Sequence, residues 1–182
     1  MAKKIKIIRK IVLLGDPSVG KTSLVRKYVL DDFSDDYIAT IGTKVTSKKM
    51  TYTNPEDKCE IELTLMIWDI MGQEEANAIP KNVYEGSKGA IMVCDLTRKE
   101  TLYSLSRLTT RLIKASPNIQ IIFAANKNDL TDQLQFGFAD MSHLSDEFNS
   151  PHFLTSAKSG ENVESAFHKL GKMMLKMQGV MV

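Results

Sequence analysis

The sequence predicts an α/β protein, with six strands in one mostly parallel sheet, a single antiparallel hairpin strand, and helices on both faces. Three observations carry this. Apolar runs of strand length alternate with amphipathic segments of helical spacing along the whole chain. Two runs, Gly89–Asp95 and Ile119–Ala125, are apolar almost without interruption, as strands buried on both faces must be. Two alternating segments flank Asn54-Pro55-Glu56-Asp57, a turn composition, and so read as a hairpin.

In chain order, Ile5–Leu14 is the first strand. Gly20–Leu30 reads as the first helix, with Leu24, Val25, Tyr28 and Val29 on one face. Thr43–Tyr52 and Glu60–Asp69 make the hairpin. Gly89–Asp95 and Ile119–Ala125 are the central strands, and Glu100–Lys114 is a helix between them. The run His152–Thr155 precedes a last helix, Glu161–Met177. There Val163, Ala166, Phe167, Leu170, Met173, Met174 and Met177 keep helical spacing, and the methionine stripe reads as core packing.

No repeat, low-complexity stretch or linker divides the 182 residues, so one domain over 1–182 is expected. A net charge of +2 argues against broad nucleic-acid binding, which needs a strongly basic face. No apolar run is long enough to span a bilayer, and the N-terminus lacks a secretory signal pattern. The two cysteines, Cys59 and Cys94, are expected as reduced thiols in a cytoplasmic protein. His143, His152 and His168 have no metal-ligand spacing and read as surface or helix residues.

The first motif is Gly15-Asp16-Pro17-Ser18-Val19-Gly20-Lys21-Thr22, which fits G-x-x-x-x-G-K-[ST] between a strand and a helix. A loop in that position turns backbone N–H groups around phosphates, and the helix N-terminus adds positive potential. Gly15 and Gly20 permit the unusual dihedrals. Lys21 would neutralise the β- and γ-phosphates, the Thr22 hydroxyl would ligate Mg²⁺, and Ser23 completes the nucleotide-binding stretch. The loop specifies a nucleoside triphosphate but no base.

The base is read elsewhere. Asn126-Lys127-Asn128-Asp129 lies at the carboxyl end of a buried parallel strand, where α/β sheets bind ligands. Asp129 can accept hydrogen bonds from guanine N1–H and the 2-amino group, donors that adenine lacks. Ser156-Ala157-Lys158 would supply a backbone amide over guanine O6. Trp68-Asp69-Ile70-Met71-Gly72-Gln73-Glu74 ends the second hairpin strand. Asp69 would hold Mg²⁺ through a water, the Gly72 amide would meet the γ-phosphate, and Gln73 would orient the attacking water.

These motifs, in this order, resemble the Ras superfamily of small GTPases over essentially the whole chain, with a P-loop NTPase fold of Ras type. The likeness is closest to the Rab branch, carried by Tyr37-Ile38-Ala39-Thr40-Ile41-Gly42 and Trp68-Asp69. The resemblance implies that Thr40 gives its hydroxyl to Mg²⁺ and its amide to the γ-phosphate. It implies that Tyr37 lies over the phosphates and that Phe33 stacks edge-on against guanine. It also implies GTP and GDP as ligands with Mg²⁺, effector and regulatory proteins acting through the two switch segments, a monomer, and a role in Rab-like trafficking or signalling.

The chain departs from the pattern at Met71, where alanine is usual, at Pro17 and Ser18 in the phosphate loop, in a longer hairpin turn, and at Glu75-Ala76-Asn77-Ala78. Its last five residues, Gln178-Gly179-Val180-Met181-Val182, contain no cysteine, and residue 2 is Ala2. Either the sequence stops short of a prenylated tail or the protein has no lipid anchor, and the second alternative resembles prokaryotic members. Lys3, Lys4, Lys6, Arg9 and Lys10 read as the flank of a first strand, with anionic membrane contact as the alternative.

Three functions compete. The first is a hydrolysing switch in which Lys21, Thr40, Gly72 and Gln73 act on the γ-phosphate, slowly because 31–43 holds no arginine. The second is a GTP-dependent binding module, which Met71 keeps open. The third is a P-loop ATPase or kinase, against which Asn126-Lys127-Asn128-Asp129 argues.

Overall fold

A computed structural model describes residues 4–33, 42–56, 58–70, 84–180 and 182. Six strands form one sheet: β1 (Lys4–Leu14), β2 (Thr43–Thr53), β3 (Glu60–Ile70), β4 (Gly89–Asp95), β5 (Gln120–Asn126) and β6 (His152–Leu154). Their order is β2-β3-β1-β4-β5-β6. Only β2 and β3 pair antiparallel, and every other neighbouring pair is parallel. The α-helices among the described residues are α1 (Lys21–Leu30), α2 (Glu100–Ala115), α3 (Phe138–Phe148) and α4 (Val163–Lys176). This is the α/β architecture that the sequence predicts.

The two sheet faces carry separate cores. On one face Ile11, Leu13, Ile61, Leu63, Leu65 and Ile67 meet Leu24 and Tyr28 of α1 and Phe167, Leu170 and Met174 of α4. On the other, Val12, Leu14, Met92 and Phe123 meet Leu105 and Leu108 of α2 and Met141 and Leu144 of α3. Burial from both sides explains why β4 and β5 are continuously apolar, whereas β2 and β3 alternate. The hairpin turn is set by Asn54, whose side-chain oxygen accepts the Glu56 N–H at 2.9 Å and whose backbone accepts Lys58 N–H at 3.1 Å.

Some local expectations needed correction. The methionine stripe buries Met174 and leaves Met173 half-buried, but Met177 sits past the last turn and is exposed. His152 is neither on a helix nor fully on the surface. It opens β6 partly buried, its ring 4.9 Å from that of Phe138. Helix α3 is absent from the sequence-based expectation. Its buried positions are only Met141 and Leu144, too few for a clear stripe. Its first turn is held instead by Asp140, whose carboxylate accepts the Gly137 N–H at 3.1 Å.

Candidate functional site

β1 runs buried to Leu14 and stops at Gly15, so the next loop emerges at the carboxyl end of a central strand. Its conformation is set by where its carbonyls go. Lys21 Nζ donates to Gly15 O at 2.9 Å and Asp16 O at 2.8 Å. Arg98 Nη2 donates to Pro17 O at 2.8 Å, and Asn126 Nδ2 to Val19 O at 3.0 Å. A trans peptide points its C=O and N–H in opposite directions, so carbonyls held by side chains leave the N–H groups for another partner.

Gly15 and Gly20 are required for two reasons. Their φ values are 149° and 96°. A Cβ on Gly15 would collide with the Val93 carbonyl, and one on Gly20 with the Asn126 side chain. Ser18 also has positive φ, 62°, and bears the strain of a residue with a Cβ. Lys21 is only 6% exposed, and burial lowers its pKa to about 8 against the attraction of Asp69 and Asp16. An anionic ligand would restore it.

On the base side, Asn126 at the end of β5 joins three segments. Its Nδ2 reaches Val19 of the loop, and its Oδ1 accepts the Ala157 N–H at 3.1 Å. Ser156 Oγ donates to Asp129 Oδ1 at 2.6 Å and accepts the Ser159 N–H at 3.0 Å. Asp129 is exposed at the rim with its carboxylate oriented by Ser156, and Lys158 is exposed beside it. The phosphate loop, Asn126-Lys127-Asn128-Asp129 and Ser156-Ala157-Lys158 thus meet at one end of the sheet, as their motifs require. Two buried side chains, Asn126 and Ser156, hold them together.

Asp69, at the end of β3, is 1% exposed, and among the described residues neither carboxylate oxygen accepts a hydrogen bond of full geometry, the Thr22 hydroxyl interacting with it only loosely. Burial raises its pKa, partly offset by the Thr22 hydroxyl and Lys21. A buried carboxylate without well-formed hydrogen bonds is costly. The carboxylate of Asp69 and the hydroxyl of Thr22 are hard oxygen donors that fit Mg²⁺, which takes few protein ligands alongside phosphates. The described residues contain no cluster of three or more His, Cys, Asp or Glu side chains of metal-binding kind.

Phe33 is described, and is half-buried against the core cluster that includes Tyr28. Tyr37, Thr40, Met71, Gly72 and Gln73 lie outside the described residues.

One functional group was missed by sequence reasoning. Asp95, at the end of β4, is fully buried. Its Oδ2 takes Lys127 Nζ at 2.6 Å and Arg98 Nε at 3.1 Å, while Thr97 N and Oγ1 bind Oδ1 at 3.0 and 2.7 Å. Burial alone would raise its pKa, but Lys127 and Thr97 outweigh that and hold it low. An acidic residue closing a buried strand at the ligand-binding edge was the available signal.

A family model described as the Ras family matches residues 10–176. The chain is 35% identical to the Ras-related protein RABA4a of Arabidopsis thaliana over 167 residues, 91% of this chain and 71% of that protein. It is 34% identical to the human Ras-related protein Rab-4B over 176 residues, 96% of this chain and 80% of that protein. The Ras-related protein Rab-4A of Danio rerio matches at 34% identity, with the same two shares.

Proposed function

This chain belongs to the Ras family and is a small GTPase close to the Rab branch, and from that premise we propose that it is a nucleotide-dependent switch that binds GTP and GDP with Mg²⁺ and hydrolyses GTP slowly. The observation that carries the reading is the pair of hydrogen bonds made by Asn126, one donated to Val19 of the phosphate loop and one accepted from Ala157 of the base loop. It makes one binding site out of a phosphate cradle and a guanine-reading edge.

In this reading the amides of residues 15, 16 and 18–20 and the Lys21 ammonium hold the β- and γ-phosphates. Asp129 accepts from guanine N1–H and the 2-amino group, and the Ala157 amide faces O6. Phe33 borders the base, and Ser23 and Tyr37 complete the nucleotide contacts. Thr22, Thr40 and, through a water, Asp69 hold Mg²⁺, which when bound neutralises charge on the transferring phosphoryl group. Gln73 orients the attacking water, and Thr40 and Gly72 meet the γ-phosphate. Its loss releases both switch segments, and effector, activating and exchange proteins read that change.

The functional unit is a single G domain spanning 1–182, a monomer acting in the cytoplasm in Rab-like trafficking or signalling. No helix among the described residues is long and apolar enough to cross a membrane.

Single-turnover hydrolysis of Mg²⁺-GTP by the parent and by Gln73→Leu tests this. A slow parent and a much slower variant are expected. Fast hydrolysis by the parent alone would contradict the slow-switch reading. Equal retention of uncleaved GTP by both would favour a GTP-dependent binding module.

A further inference from the structure

Two residues weaken the phosphate loop as an anion cradle. Pro17 has no N–H to donate. Ser18 follows it at a φ of 62°, a conformation that costs energy in any residue with a Cβ. Against this stretch lies Arg98, from the turn between β4 and α2. Its Nη2 donates to the Pro17 carbonyl, and its Nε donates to Asp95. The Asp95 oxygen that receives Nε also receives Lys127 Nζ. Asp95 cannot swing away, because Thr97 occupies its other oxygen twice over and the side chain is fully buried. A rigid ionic bridge therefore runs from the base loop, through the end of β4, to the middle of the phosphate loop.

We propose that Arg98 is a positioning residue for nucleotide retention, which with Asp95 fixes the Pro17–Ser18 peptide and ties it to Lys127. This rests on the guanine-nucleotide reading above and specifies how that site is kept closed. Pinning the Pro17 carbonyl directs the Ser18 N–H to the opposite side of the same trans peptide. That donor stands beside the one Pro17 cannot supply. Because one buried carboxylate anchors both Arg98 and Lys127, the phosphate and base ends of the site loosen together and not one at a time.

Arginine is needed for its shape. The planar guanidinium presents Nε and Nη2 at a fixed spacing and so serves the carboxylate and the carbonyl at once. An ammonium is one compact donor head and cannot span both. The positive charge of Arg98 is also felt at Lys21, so the bridge must be told apart from a plain charge effect.

The test loads the parent, Arg98→Ala and Arg98→Lys with a fluorescent N-methylanthraniloyl derivative of GDP in Mg²⁺, and follows association and release. Both variants are expected to release it roughly tenfold faster, the effect of losing one charge-assisted hydrogen bond to the loop, with association unchanged. The ³¹P resonance of the bound β-phosphate is expected to move in both, a signature that a merely stabilising side chain would not produce. Release by Arg98→Ala at the parent rate would overturn the bridge. So would full restoration by Arg98→Lys, which would make the effect one of charge alone. Where Arg98→Ala does not fold, Arg98→Lys decides by itself. A parent that retains no GDP overturns the functional reading together with this one, whereas a retentive parent with equally retentive variants overturns only this one.

Discussion

Lys21 owes its depressed pKa, about 8, to burial among loop carbonyls, and that sets a pH dependence on binding. Phosphate oxygens favour the charged ammonium, so the nucleotide complex binds a proton that the free protein begins to release above that value. Affinity is therefore complete below the free pKa and falls as pH rises through it. Titrating GDP between about pH 7 and about pH 9 is expected to give a declining affinity, and a flat profile would contradict the assignment. Gly15 and Lys21 were legible in the sequence because phosphate chemistry demands those residue types at fixed spacing, and Asn126 because it opens the base-reading motif. Asp95 and Arg98 were not. Their partners, Lys127 and Pro17, come from other loops, and only the strand order brings them together.

At the scale of elements, the packing of α4 on the hairpin is set by Gly171. The Tyr52 hydroxyl donates to the His168 carbonyl at 3.1 Å, and a Cβ on Gly171 would collide with that hydroxyl. Two effects oppose each other in Gly171→Ala. Helix propensity would gain about 1 kcal/mol. Overpacking a rigid, buried ring costs typically 1–3 kcal/mol, about as much or more, and the Leu63 side chain closes the other side. Net destabilisation is expected by urea unfolding, with Tyr52→Phe in the same chain restoring most of it. Stabilisation by Gly171→Ala alone would show that the ring yields. Elements with a distinct pattern, helical spacing in α4 and an unbroken apolar run in β4, could be read directly from the sequence. Helix α3 could not, since its start is held by the Asp140 carboxylate on the Gly137 N–H and its core face is two residues wide.

At the scale of the molecule, a parallel sheet buried on both faces presents its carboxyl ends as a stable platform. The loops after β1, β4 and β5, and the loop after β6, all open there. The fold class and strand count were legible because buried parallel strands and a hairpin have distinct patterns. The cross-loop bonds were not, because they depend on which strand ends are neighbours. Asp69 shows the same dependence: the motif names it, but only the fold reveals that both its oxygens are buried without a well-formed hydrogen bond among the described residues.

The central claim is that these loops form one guanine-specific site. Its most direct test is competition in Mg²⁺ between bound fluorescent GDP and added GTP or ATP, with the parent and Asp129→Ala. The account expects GTP to displace the probe, ATP to fail at about a hundredfold excess, and Asp129→Ala to lose most of that preference. Equal displacement by ATP and GTP from the parent would contradict it.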